Sequence, residues 1–270
     1  MTTAVITGAT HGLGRLVALD LARRGLDLGV VARSAAKVDD LRAEIGPGVT
    51  VTAFVADLSS LDDVRRAAGA IDAHYDRVDV LVNNAGIHAF SPRVTPDGVP
   101  EMTAVNYLAP WVLTNALRGK LIASAPARVV TVASEASRQA RTLDPASVLT
   151  SPAHYGRTKL MDVMFSQELA RRLAGTGVTA NCCDPGFNTT GLGRELPFAG
   201  VLEKALHALR IGDPRRGASI ITRLAIDPAF AGVTGGYFSV KDAAPLGCPE
   251  PGRGVVVQRE LWEATEKLFG

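Results

Sequence analysis

The sequence has little cysteine and almost no net charge. Only three cysteines occur among 270 residues, Cys182, Cys183 and Cys248, and they match neither a disulfide framework nor a zinc-binding spacing. We interpret them as small core residues. Basic residues exceed acidic residues by only 29 to 27, so the strongly basic face that binds nucleic-acid phosphates is not expected.

Long apolar runs are also missing. No stretch approaches the roughly 18 apolar residues that span a bilayer, and the sequence passes from Met1 into strand-like residues without a charged leader. We therefore expect a cytoplasmic protein without a membrane span. With 47% apolar and 21% charged residues, the composition is that of an ordinary globular chain, which excludes disorder.

Short runs rich in Val and Ile alternate with longer segments in which apolar residues recur every three or four positions. Continuous apolar strands joined by helices are typical of a parallel sheet covered on both faces. The sequence therefore predicts an α/β fold in a single domain over residues 1–270, with a doubly wound, mainly parallel sheet of seven strands. Glycines and prolines interrupt the pattern at about 188–214 and indicate a substrate lid. The predicted strands are 4–7, 28–32, 49–56, 78–82, 128–133, 178–183 and 237–240, and the predicted helices include 13–24, 59–75, 101–124 and 154–174.

The first predicted strand leads into a glycine-rich turn, Thr7-Gly8-Ala9-Thr10-His11-Gly12-Leu13-Gly14, and then into a helix. This is the context that a dinucleotide fingerprint requires. Gly8 permits the tight turn, Gly12 lets the backbone approach a pyrophosphate, and Gly14 lets the helix pack closely on the strand. The N–H groups at the helix start can bind the anion. A plain turn between strand and helix remains an alternative.

Arg33 follows the second predicted strand. A site that prefers NAD usually places Asp or Glu there to accept hydrogen bonds from the ribose 2′-hydroxyl, whereas Arg accommodates a 2′-phosphate. Arg33 can form charge-assisted bonds to that phosphate, and His11 and Lys37 can add positive charge. The sequence therefore predicts a preference for NADPH over NADH.

Tyr155 and Lys159 are four residues apart at the start of a predicted helix, so they lie on one face. A free phenol has a pKa near 10 and is a poor acid or base at neutral pH. A neighbouring ammonium favours the phenolate. The pair indicates acid–base chemistry, although the same spacing also occurs by chance.

These features form an ordered set that covers nearly the whole chain: residues 7–14, Asp57-Leu58, residues 83–86, Asn106, Ser134, residues 155–159 and Pro185-Gly186. The set resembles the short-chain dehydrogenase/reductase family, and it is most similar to the retinol dehydrogenase-like branch of that family. The resemblance implies a Rossmann-type fold and hydride transfer between a nicotinamide cofactor and a small carbonyl or alcohol substrate. It also implies a homodimer or homotetramer.

The resemblance implies a role for each catalytic position. Tyr155 would protonate the carbonyl oxygen, and Ser134 would hydrogen-bond the same oxygen. Lys159 would lower the pKa of Tyr155 and bind the nicotinamide ribose. Asn106 would hold a water that links Lys159 to solvent.

The resemblance also implies cofactor contacts. Asp57 would contact the adenine ring, Asn83 the adenosine side, and the backbone near Pro185, Gly186 and Asn188 the carboxamide. The expected cofactor-binding residues are Gly8, Thr10, His11, Gly12, Leu13, Arg33, Ser34, Asp57, Leu58, Asn83, Ala85, Gly86, Tyr155, Lys159, Pro185, Gly186, Asn188 and Thr190.

The leading hypothesis is an NADPH-dependent reductase of a ketone or aldehyde. Phe187, Leu192 and Phe198, in or beside the expected lid, indicate a lipophilic or aromatic substrate, although they could equally be the inner face of a packed helix. An alcohol-oxidising dehydrogenase would use the same residues, and a cofactor-sensing regulator could share the fold. The sequence leaves open whether Asp184 faces substrate or solvent and what the segment after Ala243 does.

Overall fold

The computed structural model describes residues 2–145, 147–151, 154–186 and 213–270. Eight strands in these ranges form one sheet. They are β1 (Thr3–Thr7), β2 (Asp27–Ala32), β3 (Val51–Val55), β4 (Val80–Asn83), β5 (Ala127–Val132), β6 (Val178–Asp184), β7 (Tyr237–Ser239) and β8 (Pro245–Leu246).

The strand order is β3-β2-β1-β4-β5-β6-β7-β8. All neighbours are parallel except β7 and β8, which run antiparallel with Tyr237 opposite Leu246. The predicted doubly wound, mainly parallel sheet is thus confirmed, but the predicted number of seven strands is one too low. The missed strand, β8, has only two residues, and one of them is Pro245, so it has no apolar run that a pattern could detect.

Helices connect the strands. One predicted helix, 101–124, is interrupted at two places. A π-helical turn (Ala104–Leu108) follows a short helix at Glu101–Thr103, and Leu117 separates the helix Ala109–Ala116 from the helix Arg118–Ala123. The described helices are α1 (Gly12–Arg23), α2 (Ala35–Ile45), α3 (Leu61–His74), α4 (Glu101–Thr103), α5 (Ala109–Ala116), α6 (Arg118–Ala123), α7 (Tyr155–Arg172), α8 (Pro214–Ile226) and α9 (Val255–Phe269).

Apolar side chains pack on both faces of the sheet. Val17 of α1 and Ile221 of α8 belong to the cluster on one face, whereas Val64 of α3 and Met164 of α7 belong to the cluster on the other. Both faces are therefore covered, which explains why the strands are continuous apolar runs. None of the helices within the described ranges is long and apolar enough to cross a membrane.

The strand order reverses beside β1, which pairs with β2 on one side and β4 on the other. Ligands of open α/β sheets bind outside the carboxyl ends of the strands at such a switch point. The glycine-rich turn follows β1 there, and Asn83 ends β4 at the same edge. The expected lid at 188–214 lies outside the described residues, except for its last two positions, Asp213 and Pro214.

Candidate active site

The turn between β1 and α1 requires glycine. Gly8 and Gly12 have φ angles of +70° and +58°, in the left-handed region that side chains rarely adopt. A Cβ placed on Gly14 would lie 2.4 Å from the carbonyl oxygen of Gly8 and 2.4 Å from Nδ2 of Asn84. The close approach of helix to strand that a dinucleotide site needs is therefore present.

The N-cap residue of α1 makes no side-chain capping hydrogen bond, whereas the N-cap residue of α3 does. Ser60 caps α3 by accepting a hydrogen bond from the N–H of Asp63, whose carboxylate also lies in the first turn. At α1, His11 occupies the N-cap position without a side-chain cap, and the first turn has no acidic residue. The first-turn N–H groups of α1 are thus suited to bind an anion, and this cradle fits the pyrophosphate of a dinucleotide.

Asn84 joins the ends of β1 and β4. Its Nδ2 donates to the carbonyl oxygen of Thr7 at 2.9 Å, and the N–H groups of Asn84 and Ala85 both donate to the hydroxyl of Thr7 at 3.0 Å. The side chain of Asn83 instead donates to Thr114 at 3.0 Å inside the protein. The expected contact of Asn83 with adenosine would therefore fall to its backbone, and Asn84 is the residue that stabilises the turn.

Arg33 lies exposed just after β2, and Ser34 is the N-cap of α2. Among the residues that the structure describes, no carboxylate pairs with Arg33 or with the exposed Lys37. Asp57, after β3, accepts hydrogen bonds from the N–H and the hydroxyl of Ser59. The ends of β2 and β3 therefore place polar side chains at the edge where the adenosine half is expected, beside the buried Leu58.

Ser134 and Tyr155 meet because α7 starts close to the turn that follows β5. His154 caps α7 by accepting a hydrogen bond from the N–H of Arg157. A Cβ on Gly156 would lie only 2.3 Å from the carbonyl oxygen of Ala136. Glycine beside the tyrosine therefore lets the phenol approach Ser134, whose hydroxyl lowers the pKa of Tyr155.

Lys159 lies one turn further along α7 and is buried. Its Nζ is 5.7 Å from the centre of the Tyr155 ring and donates to the carbonyl oxygen of Val132 at 2.8 Å and to Oδ2 of Asp162 at 2.8 Å. Burial favours the neutral amine, but the negative charge of Asp162 raises the pKa of Lys159 above its ordinary value. Lys159 is therefore a buried cation beside the phenol.

Burial raises the pKa of Tyr155, and the charge of Lys159 acts against this effect. Lys159 thus acts to lower the pKa of Tyr155, which is the expected direction. The pKa of Tyr155 nevertheless lies above its ordinary value, because the effect of burial is larger than that of the lysine charge.

Asn106 lies in the π-helical turn and faces the same space. Its Oδ1 accepts a hydrogen bond from the N–H of Ile87, and its Nδ2 donates to the carbonyl oxygen of Ile87 and to the hydroxyl of Thr158. A Cβ on Gly86 would lie 3.5 Å from both Oδ1 of Asn106 and Nζ of Lys159. The two side chains therefore converge next to Gly86.

Asp184 faces inward, which answers a question that the sequence left open. It is 6% exposed, and its Oδ1 accepts a hydrogen bond from the N–H of Glu135 at 3.0 Å. Burial raises the pKa of Asp184. Asp184 therefore anchors the turn that presents Ser134. Pro185 and Gly186 follow directly, whereas Asn188 and Thr190 lie outside the described residues.

Two residues near Tyr155 were missed by the sequence analysis. The ring of His88 stacks on the ring of Tyr155 with centroids 4.9 Å apart, and it contacts Phe90 at 4.7 Å. His88 follows the 83–86 motif by two positions, and this adjacency is the one signal that could have drawn attention to it. The other missed residue is Asp162, for which an acid amid the apolar residues of α7 is the signal.

A glycine cradle at the switch point, together with a serine after β5 and with a tyrosine and a buried lysine in the first turns of α7, defines a nicotinamide-dependent oxidoreductase. Comparison with known proteins agrees. Residues 2–197 match the family model described as short chain dehydrogenase.

The chain is similar over its whole length to characterised relatives. It is 36% identical to "Retinol dehydrogenase 13" from Homo sapiens, over 99% of this chain and 84% of that protein. It is 32% identical to a candidate daunorubicin C-13 ketoreductase from Streptomyces, over 99% of this chain and 92% of the other. Among solved structures, a candidate NAD(P)-dependent gluconate 5-dehydrogenase from Beutenbergia cavernae with bound NADP superposes with a TM-score of 0.71, at 32% identity over 88% of this chain and 94% of that one.

The chain belongs to the short-chain dehydrogenase/reductase family, and it resembles the retinol dehydrogenase branch, as the sequence motifs indicate. It is an NAD(P)-dependent oxidoreductase.

Proposed function

We propose that the protein is an NADPH-dependent reductase that converts a ketone or aldehyde into an alcohol. The observation that supports this most directly is the convergence of Ser134, Tyr155 and Lys159 at one edge of the sheet, beside the glycine turn. A phenol next to a buried ammonium can give up a proton and hold the negative charge that remains.

Each residue has a defined task in this proposal. Ser134 donates a hydrogen bond to the carbonyl oxygen and fixes its position, and Tyr155 donates its proton to the same oxygen. Lys159 stabilises the phenolate that remains. When bound, the reduced nicotinamide supplies the hydride to the carbonyl carbon.

Asn106 is placed to support return of the proton to Tyr155. Both N–H groups of its amide are engaged by Ile87 and Thr158, and Oδ1 already accepts one hydrogen bond. The second lone pair of Oδ1 is left for a water molecule, next to Lys159. This arrangement supports the proton route from solvent that the family resemblance implies.

The proposed preference for NADPH depends on Arg33. Its exposed guanidinium, unpaired within the described part of the chain, is available for a 2′-phosphate. A cellular NADPH pool that is kept reduced favours carbonyl reduction over alcohol oxidation.

The proposed substrate is lipophilic or aromatic. His88 and Phe90 form an aromatic surface at Tyr155, and the names of the relatives denote a retinol dehydrogenase and a daunorubicin ketoreductase. The alternative, an alcohol-oxidising dehydrogenase, would use the same residues in the reverse direction. A purely cofactor-sensing role is disfavoured because Tyr155 and Lys159 are both present. A single domain with a substrate lid, a cytoplasmic location and assembly into homodimers or homotetramers stay predictions.

The first experiment is to follow the reduced-nicotinamide absorbance with NADPH or NADH and a panel of ketones, aldehydes and quinones of graded size and polarity. Consumption of NADPH in preference to NADH is the expected result. A protein that binds NADPH but reduces no member of the panel would contradict a general reductase.

The cofactor preference has its own test in Arg33→Asp. The ratio of NADPH to NADH turnover should invert, since the new carboxylate repels the 2′-phosphate and accepts hydrogen bonds from the 2′-hydroxyl. Arg259→Asp, an identical charge change at an exposed position of α9, is the matched control and should leave the ratio unchanged. An unchanged ratio in Arg33→Asp would refute the assignment.

A further inference from the structure

Asp162 is a buried carboxylate that the proposed reaction does not use. It lies on α7 between apolar residues, and it is 1% exposed. Its Oδ2 accepts the 2.8 Å hydrogen bond from Lys159, but Oδ1 has no hydrogen-bond partner among the residues that the structure describes. Burying a charged group with half of its hydrogen bonds unmade is unfavourable. Stability alone is therefore a poor explanation for this acid.

The position of Asp162 controls where Lys159 can point. An ammonium has three N–H donors, and two of those of Lys159 are directed to Val132 and Asp162 inside the protein. One donor is left for Tyr155 and for a bound ribose. Asp162 lies one turn after Lys159 on α7 and Tyr155 one turn before it, so the carboxylate fixes the ammonium from the C-terminal side.

Asp162 also changes the charge that Tyr155 experiences. Lys159 favours the phenolate, whereas the negative charge of Asp162 opposes it through space. The same carboxylate, however, keeps the buried Lys159 protonated, and the effect of the lysine charge on Tyr155 is larger than the direct effect of Asp162. The net effect of Asp162 is therefore to preserve the positive charge beside the phenol.

We propose that Asp162 is a positioning residue for the reaction, which holds the ammonium of Lys159 in place and keeps it charged, and so sets the pH range over which Tyr155 donates its proton. The second half of this inference rests on the proposed function, because only a catalytic Tyr155 gives the charge of Lys159 a kinetic effect.

The other ionisable groups near Lys159 and Tyr155 leave this role to Asp162. His88 stacks on the ring of Tyr155, but an imidazole carries no negative charge with which to hold an ammonium. Tyr107, from the π-helical turn, and Cys182 and Cys183, from β6, face the pair, and burial raises the pKa of each, which keeps all three neutral at physiological pH. Asp184 at the end of β6 acts on Tyr155 in the same direction as Asp162, but its carboxylate is engaged with the backbone of Glu135.

The test is a titration of the Tyr155 phenol without cofactor or substrate. The phenolate absorbance is recorded from neutral to alkaline pH for the wild type and for Asp162→Asn, and the signal of the corresponding Tyr155→Phe protein is subtracted from each. Without the carboxylate, burial leaves the Lys159 amine neutral at alkaline pH, so the phenolate loses its stabilising charge and the midpoint should move to higher pH by on the order of one unit. The alkaline limit of NADPH-dependent carbonyl reduction should move in the same direction.

Two further variants complete the test. Asp162→Ala removes the same charge with a smaller side chain and should give the same shift if the asparagine variant does not fold. Glu168→Gln removes another buried carboxylate of α7, one that pairs with Arg171 and Arg172, and should leave the midpoint unchanged.

A midpoint that stays in place or moves to lower pH in folded Asp162 variants would overturn the inference. Because the titration needs neither substrate nor cofactor, it tests Asp162 even if no carbonyl is reduced. Failure of the proposed function and failure of this inference are therefore distinguishable.

Discussion

The two sides of the switch point are built differently. On the side of β1, β2 and β3, the expected cofactor contacts come from backbone in a glycine turn and from exposed side chains such as Arg33 and Asp57. On the side of β5 and β6, the expected catalytic groups are held in a largely buried network around Lys159 and Asp162. Changes on the first side should alter cofactor affinity, and changes on the second should alter turnover.

The largest effect is expected for Tyr155→Phe. Carbonyl reduction should fall by about 10²–10⁴-fold, because a positioned acid contributes that much to proton transfer. NADPH affinity, measured by fluorescence titration, should remain, because the phenyl ring is retained. Full activity in this variant would contradict both the mechanism and the separation of the two sides.

Gly156→Ala tests the catalytic side through geometry alone. The new Cβ would lie 2.3 Å from the carbonyl oxygen of Ala136, so α7 must move away from Ser134. Misplacement of a catalytic group by about 1 Å can reduce turnover by about 10²-fold. We expect a fall in kcat in steady-state assays with little change in NADPH affinity. A loss of NADPH affinity with an unchanged kcat would contradict the division into a cofactor side and a catalytic side.

Gly14→Ala is the counterpart on the cofactor side. Its Cβ would lie 2.4 Å from the carbonyl oxygen of Gly8, which forces the phosphate turn to shift and should cost about 1–3 kcal/mol of stability. NADPH affinity, measured by calorimetry, should fall, while kcat at saturating NADPH should change less. Gly69→Ala in α3 is the control, since nothing lies within 4 Å of its Cβ; it should stabilise the protein by about 0.5–1 kcal/mol.

A smaller effect concerns the pH dependence of stability. Burial raises the pKa of Asp162 to about 6, whereas an unfolded chain releases the same proton near pH 4. Between those values the folded state binds more protons, so Asp162 makes the free energy of unfolding fall as pH rises, on the order of 3 kcal/mol in total. Denaturant unfolding should show this fall in the wild type relative to Asp162→Asn, and parallel curves for the two proteins would contradict it.

Sequence patterns predicted most of the fold because parallel strands buried on both faces are continuous apolar runs. All seven predicted strands exist, with both ends within two residues of the prediction, and β3 (Val51–Val55) and β4 (Val80–Asn83) each begin two residues later than predicted. Helix 101–124 was predicted as one piece because its apolar spacing is continuous. The breaks at Leu117 and in the π-helical turn depend on hydrogen bonds that spacing does not report.

The site was predicted where a motif places a residue at a strand end or a helix start. Arg33, Ser134 and Tyr155 all lie at such positions. The partners of those residues could not be predicted in the same way. His88 contacts Tyr155 and Asp162 contacts Lys159 through tertiary packing, and a side chain's burial and orientation depend on elements that are distant in the sequence.

The π-helical turn at Ala104–Leu108 has a consequence for insertions and deletions. The N–H of Ala109 donates to the carbonyl oxygen of Ala104, five residues back, instead of four as in an α-helix. The turn thus contains one residue more than a regular helix of the same path. Deleting any one of these five residues would restore a regular α-helix between α4 and α5 and leave the flanking helices in place. It would, however, remove the widened turn that carries Asn106 and so disturb the hydrogen bonds of its amide with Ile87 and Thr158. The length of this segment is therefore constrained more tightly than the identity of its apolar residues.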